Sequence, residues 1–176
     1  MKRYLFITCL VFLGIIGISA QKEQTPIQHL ILQGDSCMNE HDSYHAITYY
    51  QQYINEHPHD LNVLRKLASC YRLRGDNKKC IACMDSIPND SLNHEDLRMM
   101  FYSYLNLGDK KKVELYGMTI YGKYPYDGEV FATLLQQWNN HGEPEMVSAF
   151  ALSYVEKRDS TNILINKELA YSLYLQ

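Results

Sequence analysis

The stretch YRLRGDNKKC, Tyr71–Cys80, carries a tyrosine, a Gly75-Asp76 pair and a small residue nine positions after the tyrosine. The same arrangement occurs in three other places. Its punctuation reads His41-Asp42, Gly75-Asp76, Gly108-Asp109 and Gly142-Glu143, spaced by 34, 33 and 34 residues. A fixed period of this size marks a solenoid of repeated supersecondary units. Each mark has the chemistry of a turn between two helices. Glycine accepts the left-handed conformation that ends a helix. The acid after it suits the N-cap and the positive end of the next helix. Pro144, directly after Glu143, fits a first helical position, where no backbone donor is needed.

The residues around the four marks align. The first set is Leu30, Gln33-Gly34, Cys37, then Ala46, Tyr50 and Pro58. The second is Leu64, Leu67-Ala68, Tyr71, then Cys80 and Met84. The third is Leu97, Met100-Phe101, Tyr104, then Val113, Gly117 and Pro125. The fourth is Phe131, Leu134-Leu135, Trp138, then Val147 and Ala151. This pattern resembles the tetratricopeptide repeat (TPR) family, over nearly all of residues 27–176. The resemblance implies an all-α, right-handed α-solenoid of about nine helices in antiparallel pairs. The repeats would fall at 27–60, 61–93, 94–127 and 128–161. A half repeat at 162–176 carries Leu169-Ala170 and Leu173 and stops where the next turn is due. In the third repeat Phe101 is large where a small residue is usual and Gly117 small where a large one is usual. The two positions face each other in the family fold, so a volume swap is implied. Gly117 inside a helix costs roughly 1 kcal/mol relative to Ala.

The N-terminus reads as a processing segment. Lys2 and Arg3 precede an apolar run from Leu5 to Ile18, which ends in Ser19-Ala20 before the polar Gln21-Lys22-Glu23-Gln24. That is the form of a signal peptide at 1–20. The run is shorter than the roughly 20 residues of a spanning helix. A short tail, 21–26, would follow. The expected destination is the bacterial periplasm, with secretion as the alternative. Without Lys2 and Arg3 the 17 basic side chains fall to 15 against 20 acidic ones, a formal charge of −5. A mildly acidic chain without a basic stripe is a poor nucleic-acid binder.

Few residues suggest chemistry. Cys80-Ile81-Ala82-Cys83 has the spacing of a redox dithiol, but Cys80 occupies the slot held by Ala46 in the first repeat, and no strand precedes it. Residues three apart on a helix have Cβ atoms roughly 5–6 Å apart, wider than the roughly 3.5–4.5 Å of a disulfide. No second CxxC completes a zinc site. Packing is the preferred reading, with disulfides among Cys37, Cys70, Cys80 and Cys83 left open. His41, His45, His57 and His59 fall at repeat turns, and His-Asp-Ser-Tyr-His is not HExxH. The chain is therefore expected to have no catalytic residues, no cofactor and no metal.

Binding suits a solenoid best, because its stacked helices line an extended concave groove. By TPR geometry the groove positions are Arg65, Lys66, Ser69, Arg72, Arg98, Tyr102, Gln136, Asn139 and Asn140. The arginines suit a carboxylate-bearing peptide, since guanidinium groups bond carboxylates in bidentate fashion. The carboxylate clamp of chaperone-binding TPRs is absent, because Ile31 and Asp35 stand where it needs Lys and Asn. The expected function is a non-catalytic protein-interaction adaptor. The alternatives are the N-terminal part of a longer sensor or assembly protein, a carbohydrate-binding TPR domain, and a CxxC redox protein. At the C-terminal end, Ile165, Leu169 and Leu173 are expected to pack back on the fourth repeat. Leu164, Tyr171 and Leu175 form a second apolar face, expected to meet a second copy or a continuation of the chain.

Overall fold

A computed structural model describes residues 26–176. The signal-peptide reading of 1–20 lies outside the described residues, as does the expected tail up to residue 25. The described residues hold nine α-helices and no strand: α1 Pro26–Asn39, α2 Ser43–Glu56, α3 Leu61–Leu73, α4 Asn77–Asp85, α5 His94–Leu107, α6 Lys110–Lys123, α7 Gly128–Asn140, α8 Pro144–Lys157 and α9 Ile163–Leu175. A single 3-10 turn, Asn89–Ser91, separates α4 from α5. Each helix packs on the next in the chain, as an all-α helical-repeat solenoid requires.

The four punctuation marks form the same turn. His41, Gly75, Gly108 and Gly142 are left-handed, with φ of 61°, 76°, 72° and 77°. In each turn the following acid donates its backbone N–H to the carbonyl five residues back, that of Cys37, Tyr71, Tyr104 or Trp138, at 2.8–3.1 Å. The left-handed residue donates to the carbonyl three back, as in a Schellman motif. The carboxylates of Asp42, Asp76 and Asp109 then accept from the third amide of the next helix. Glu143 makes no such bond. At this mark the entry into α8 rests on Pro144, whose locked φ fits the first helical position.

The turns between repeats follow a second rule that the glycine spacing did not disclose. Asp60, Asn93, Asp127 and Asn162 each cap the odd-numbered helix that follows. Asn93 forms a full capping box, with Asp96 accepting from its backbone. Helix α4 spans nine residues against fourteen for α2. Pro88 ends that stretch because it has no N–H to offer and pushes its predecessor out of helical conformation.

The core repeats the sequence slots in space. Ala46, Cys80, Val113 and Val147 are all buried, as are Tyr50, Met84, Gly117 and Ala151. A Cβ placed on Gly34 would collide with the Tyr50 ring, so the first pair is small against large. The third pair is inverted: a Cβ on Gly117 would stand 3.0 Å from Leu134 Cδ2 and 3.1 Å from Phe101 Cε2. The exchange of volumes between Phe101 and Gly117 is therefore real. Tyr104 and Tyr116 stack at 5.5 Å and join the core of the first two repeats to that of the rest.

His41 is exposed and is the one non-glycine residue with positive φ among the described residues. A left-handed L-residue costs about 1–2 kcal/mol, part of which glycine returns as unfolded-state entropy. His41→Gly is expected to raise stability by about 0.5–1 kcal/mol in urea denaturation, with unchanged m-value.

Candidate interaction surfaces

The odd-numbered helices carry the residues that the repeat pattern assigns to the groove. Successive odd helices are tied by polar bridges. Lys66 Nζ on α3 donates to both Asp35 oxygens on α1 at 2.6 and 2.7 Å. Arg65 Nε on α3 donates to both oxygens of Asp96 on α5 at 3.0 and 2.9 Å, and its Nη2 to the Ser91 carbonyl at 2.8 Å. Arg98 on α5 holds Asp127 at 2.6 and 2.7 Å and Glu129 at 2.8 Å, and Tyr102 donates to Glu129 at 2.9 Å. Asn139 Nδ2 on α7 donates to both the backbone oxygen and Oε2 of Glu168 on α9, each at 3.0 Å.

These bridges change the reading of the expected groove. Arg65, Lys66 and Arg98 are not free cations, because a carboxylate of the adjacent odd helix already occupies each. Tyr102 is engaged through its hydroxyl, and the Arg98 guanidinium lies 5.5 Å from its ring centroid. Asn139 is buried and faces α9 rather than solvent. Ser69 is half-buried in a cleft beside Asp35 and Lys66. Gln136 and Asn140 are exposed. Arg72 is exposed and in no ion pair among the described residues. It lines a cleft of about 290 Å³ with Glu95, Arg98, Met99, Tyr102 and Glu129.

The electrostatics follow from the pairing. Burial raises the Asp127 carboxyl, but Arg98, the Val130 amide and His94 outweigh it and hold the group below its ordinary value. His94 Nε2 meets Asp127 Oδ2 at 2.7 Å while its ring stacks on Tyr124. Burial, reinforced by Glu129, pushes the Tyr102 hydroxyl up to about 12. A carboxyl lowered by folding contributes stability that is present above its unfolded value, about 4, and is lost as pH falls through its lower folded value. Asp127→Asn is expected to flatten the acid limb of the stability curve below about pH 4. Arg98→Glu is expected to destabilise by roughly 3 kcal/mol or more, because it opposes two carboxylates, one of them buried. Arg72→Glu is expected to stay within about 0.5 kcal/mol of the parent. Urea titrations at pH 7 and pH 3 check all three.

Burial works against thiolate formation at the cysteines. Burial raises Cys80, and raises Cys83 to about 11 with Cys80 adding to it. Cys70 is likewise raised by burial to about 11 and lies 3.2 Å from Met38 Sδ. A reactive dithiol requires the opposite shift. All four described cysteines are free thiols. Ser103 donates to Cys80 Sγ at 3.4 Å, a contact that packing explains. Cys80→Ala is expected to cost under about 1.5 kcal/mol and Cys80→Leu roughly 1–3 by overpacking. Alkylation of the native protein should give no thiol titrating below pH 8. His41, His45, His57 and His59 are all exposed.

Helix α9 docks as expected at Ile165, which is buried, and at Leu169, which packs half-buried on the core, but not at Leu173. Its buried residues are Ile165, Glu168 and Ser172, and Leu173 is 53% exposed. At 3.6 residues per turn, successive steps of four drift by about 40° each, so Leu173 has rotated off the face that Ile165 begins. Leu164, Tyr171 and Leu175 are exposed, joined by Ile163, Leu173 and Tyr174. Gln176 Nε2 ties the helix end to the Pro144 carbonyl at 3.0 Å and to Ser148 Oγ at 2.8 Å. No helix among the described residues is long and apolar enough to cross a membrane.

No protein-family model matches the chain, and no curated protein matches it in sequence. Solved structures do match in fold. A crystal structure of MamA protein superposes with TM-score 0.73 at 13% identity, covering 85% of this chain and 81% of that one. A second MamA crystal structure gives TM-score 0.58 at 15% identity over 81% of this chain and 93% of its own. The MamA RS-1 ArsTM double mutant gives 0.65 at 10% identity over 86% and 95%. At such identities the likeness is one of fold.

Proposed function

We propose that this protein is a non-catalytic interaction scaffold of the bacterial cell envelope. It holds a segment of a partner protein against the odd-numbered helices between α3 and α7. The observation that carries the reading is the cleft of Arg72, Glu95, Met99 and Tyr102. Its walls are set in advance, because Arg98, Tyr102 and Glu129 are already bonded to one another. Side chains ordered beforehand lose little entropy on binding. Arg72 suits a carboxylate and Glu95 a cation, with Met99 offering a soft apolar floor. A segment of mixed charge with one apolar side chain matches this lining. The Tyr102 ring, with its hydroxyl engaged and Arg98 close by, offers a poor platform for a sugar. The fold shared with MamA structures supports a scaffold, and the signal-peptide pattern of residues 1–20 supports export.

Random peptides displayed on phage and selected on residues 21–176 test the reading. Selected peptides should carry a carboxylate and should lose about ten-fold or more in affinity for Arg72→Glu, the scale of one charge-assisted hydrogen bond. Glu114→Lys, an exposed change on α6, should leave affinity unaltered. Equal binding by Arg72→Glu with unchanged circular dichroism would move the site elsewhere.

A further inference from the structure

The acid after each Schellman turn gives every even-numbered helix a common register. Three residues beyond it stand Lys79, Lys112 and Met146, in α4, α6 and α8. Five residues beyond it stand Ile47, Ile81 and Glu114, in α2, α4 and α6. Between the first two repeats these positions meet the aromatic slot residue, since Ile47, Tyr71 and Lys79 line one cleft. Lys79 Nζ lies 5.4 Å from the Tyr71 ring centroid. In the next notch Ile81 is buried, and Lys112 Nζ lies 5.7 Å from the Tyr104 ring centroid. Each tyrosine is served by an apolar side chain from the repeat before and a lysine from its own.

The third notch has lost both. Glu114 stands in the isoleucine's place and Met146 in the lysine's, and the aromatic residue is Trp138. A cleft of about 260 Å³ lies beside Trp138, with Leu105, Val113 and Leu134 as apolar wall and Glu114 and Glu143 as carboxylates. Neither carboxylate is in an ion pair among the described residues. Lys110 also lines the cleft, is exposed, and pairs with neither. Trp138 is 4% exposed and Tyr71 6%, so a ring this covered still meets a lysine in the first notch. Indole is the best cation–π partner among the aromatic side chains.

From these coinciding departures we propose that the third notch binds an alkylammonium group, the end of a lysine-like chain. The methylene stem fills the place of Ile81 along the apolar wall, as the stems of long cationic side chains do on apolar surfaces. The ammonium meets the Trp138 ring and donates charge-assisted hydrogen bonds to Glu114 and Glu143. The notch shares no residue with the Arg72 cleft and does not depend on the reading of that cleft.

Trp138 is the chain's single tryptophan, so its fluorescence and indole N–H resonance report on this notch. n-Butylammonium and Nα-acetyl-lysine methylamide should each move both signals saturably, with midpoints on the order of 1–10 mM, the scale for ligands of so few atoms. Nα-acetyl-norleucine methylamide, which has the stem without the charge, should move neither. Glu114→Gln with Glu143→Gln should raise the midpoint at least about ten-fold. Met146→Lys should abolish the response, because the chain's own lysine then sits at the ring as in the first two notches. Arg72→Glu should leave the midpoint unaltered, which separates failure here from failure of the Arg72 cleft. An equal response to the norleucine analogue would overturn the proposal, as would no shift by about 50 mM. So would parental midpoints in the double glutamine variant with unchanged circular dichroism. Tighter binding of the lysine derivative than of butylammonium would assign the group to a protein segment, and equal binding to a free amine.

Discussion

A carboxylate at the head of α5 and another at the head of α7 each do two jobs at once, and the middle of the stack depends on that economy. Asp127 caps α7 through the Val130 amide and accepts both bonds from Arg98 of α5. Asp96 completes the capping box of α5 and accepts both bonds from Arg65 of α3. Both carboxyls are nearly inaccessible to water, at 3% and 2% of full side-chain exposure. A buried charge is tolerated when its lone pairs are filled and an opposite charge stands beside it. Here the cap fills one side and the guanidinium the other. Where a helix begins and how it sits against its predecessor are thus set by the same side chain.

Around these bridges the apolar core supplies bulk and the turns supply pitch. The four Schellman turns bond the carbonyl of Cys37, Tyr71, Tyr104 or Trp138 to the amide of the acid five residues on. Each short turn therefore brings its two helices together at the same point in every repeat. The volumes then need only be complementary, not identical. Gly34 under Tyr50 and Phe101 over Gly117 fill the same space from opposite sides. A core held in register by its turns tolerates such an exchange because total volume is preserved.

The polar bridges also decide what the inner face offers a partner. Lining cations already bound to carboxylates present a firm surface of low net charge, not a basic strip. Arg72, near the end of α3, is the cation of that set left outside a bridge. Recognition is thereby concentrated at one cleft. The α9 end is a different kind of surface, with Ile163, Leu164, Tyr171, Leu173, Tyr174 and Leu175 exposed along it.

The sequence by itself determined the all-α class, the repeat and the slots, because turns and small-against-large pairs are local chemistry that recurs at a readable spacing. Gly75-Asp76 and the Ala46–Cys80–Val113–Val147 series needed no coordinates to be placed, and the Phe101–Gly117 inversion showed as two departures at facing slots. The bridges were harder to see. Arg98 and Asp127 stand 29 residues apart, Arg65 and Asp96 31. Neither distance is a helical spacing, and each is a few residues less than the repeat, so the charges looked free along the chain. On α9 the four-residue spacing holds for Ile165 and Leu169, which pack inward, and fails at Leu173, which the drift of about 40° per step has turned outward. Only the tertiary structure decided which charges meet, because that depends on how far each helix is shifted along the one before it. That shift is set by cap and core contacts acting together across the repeat.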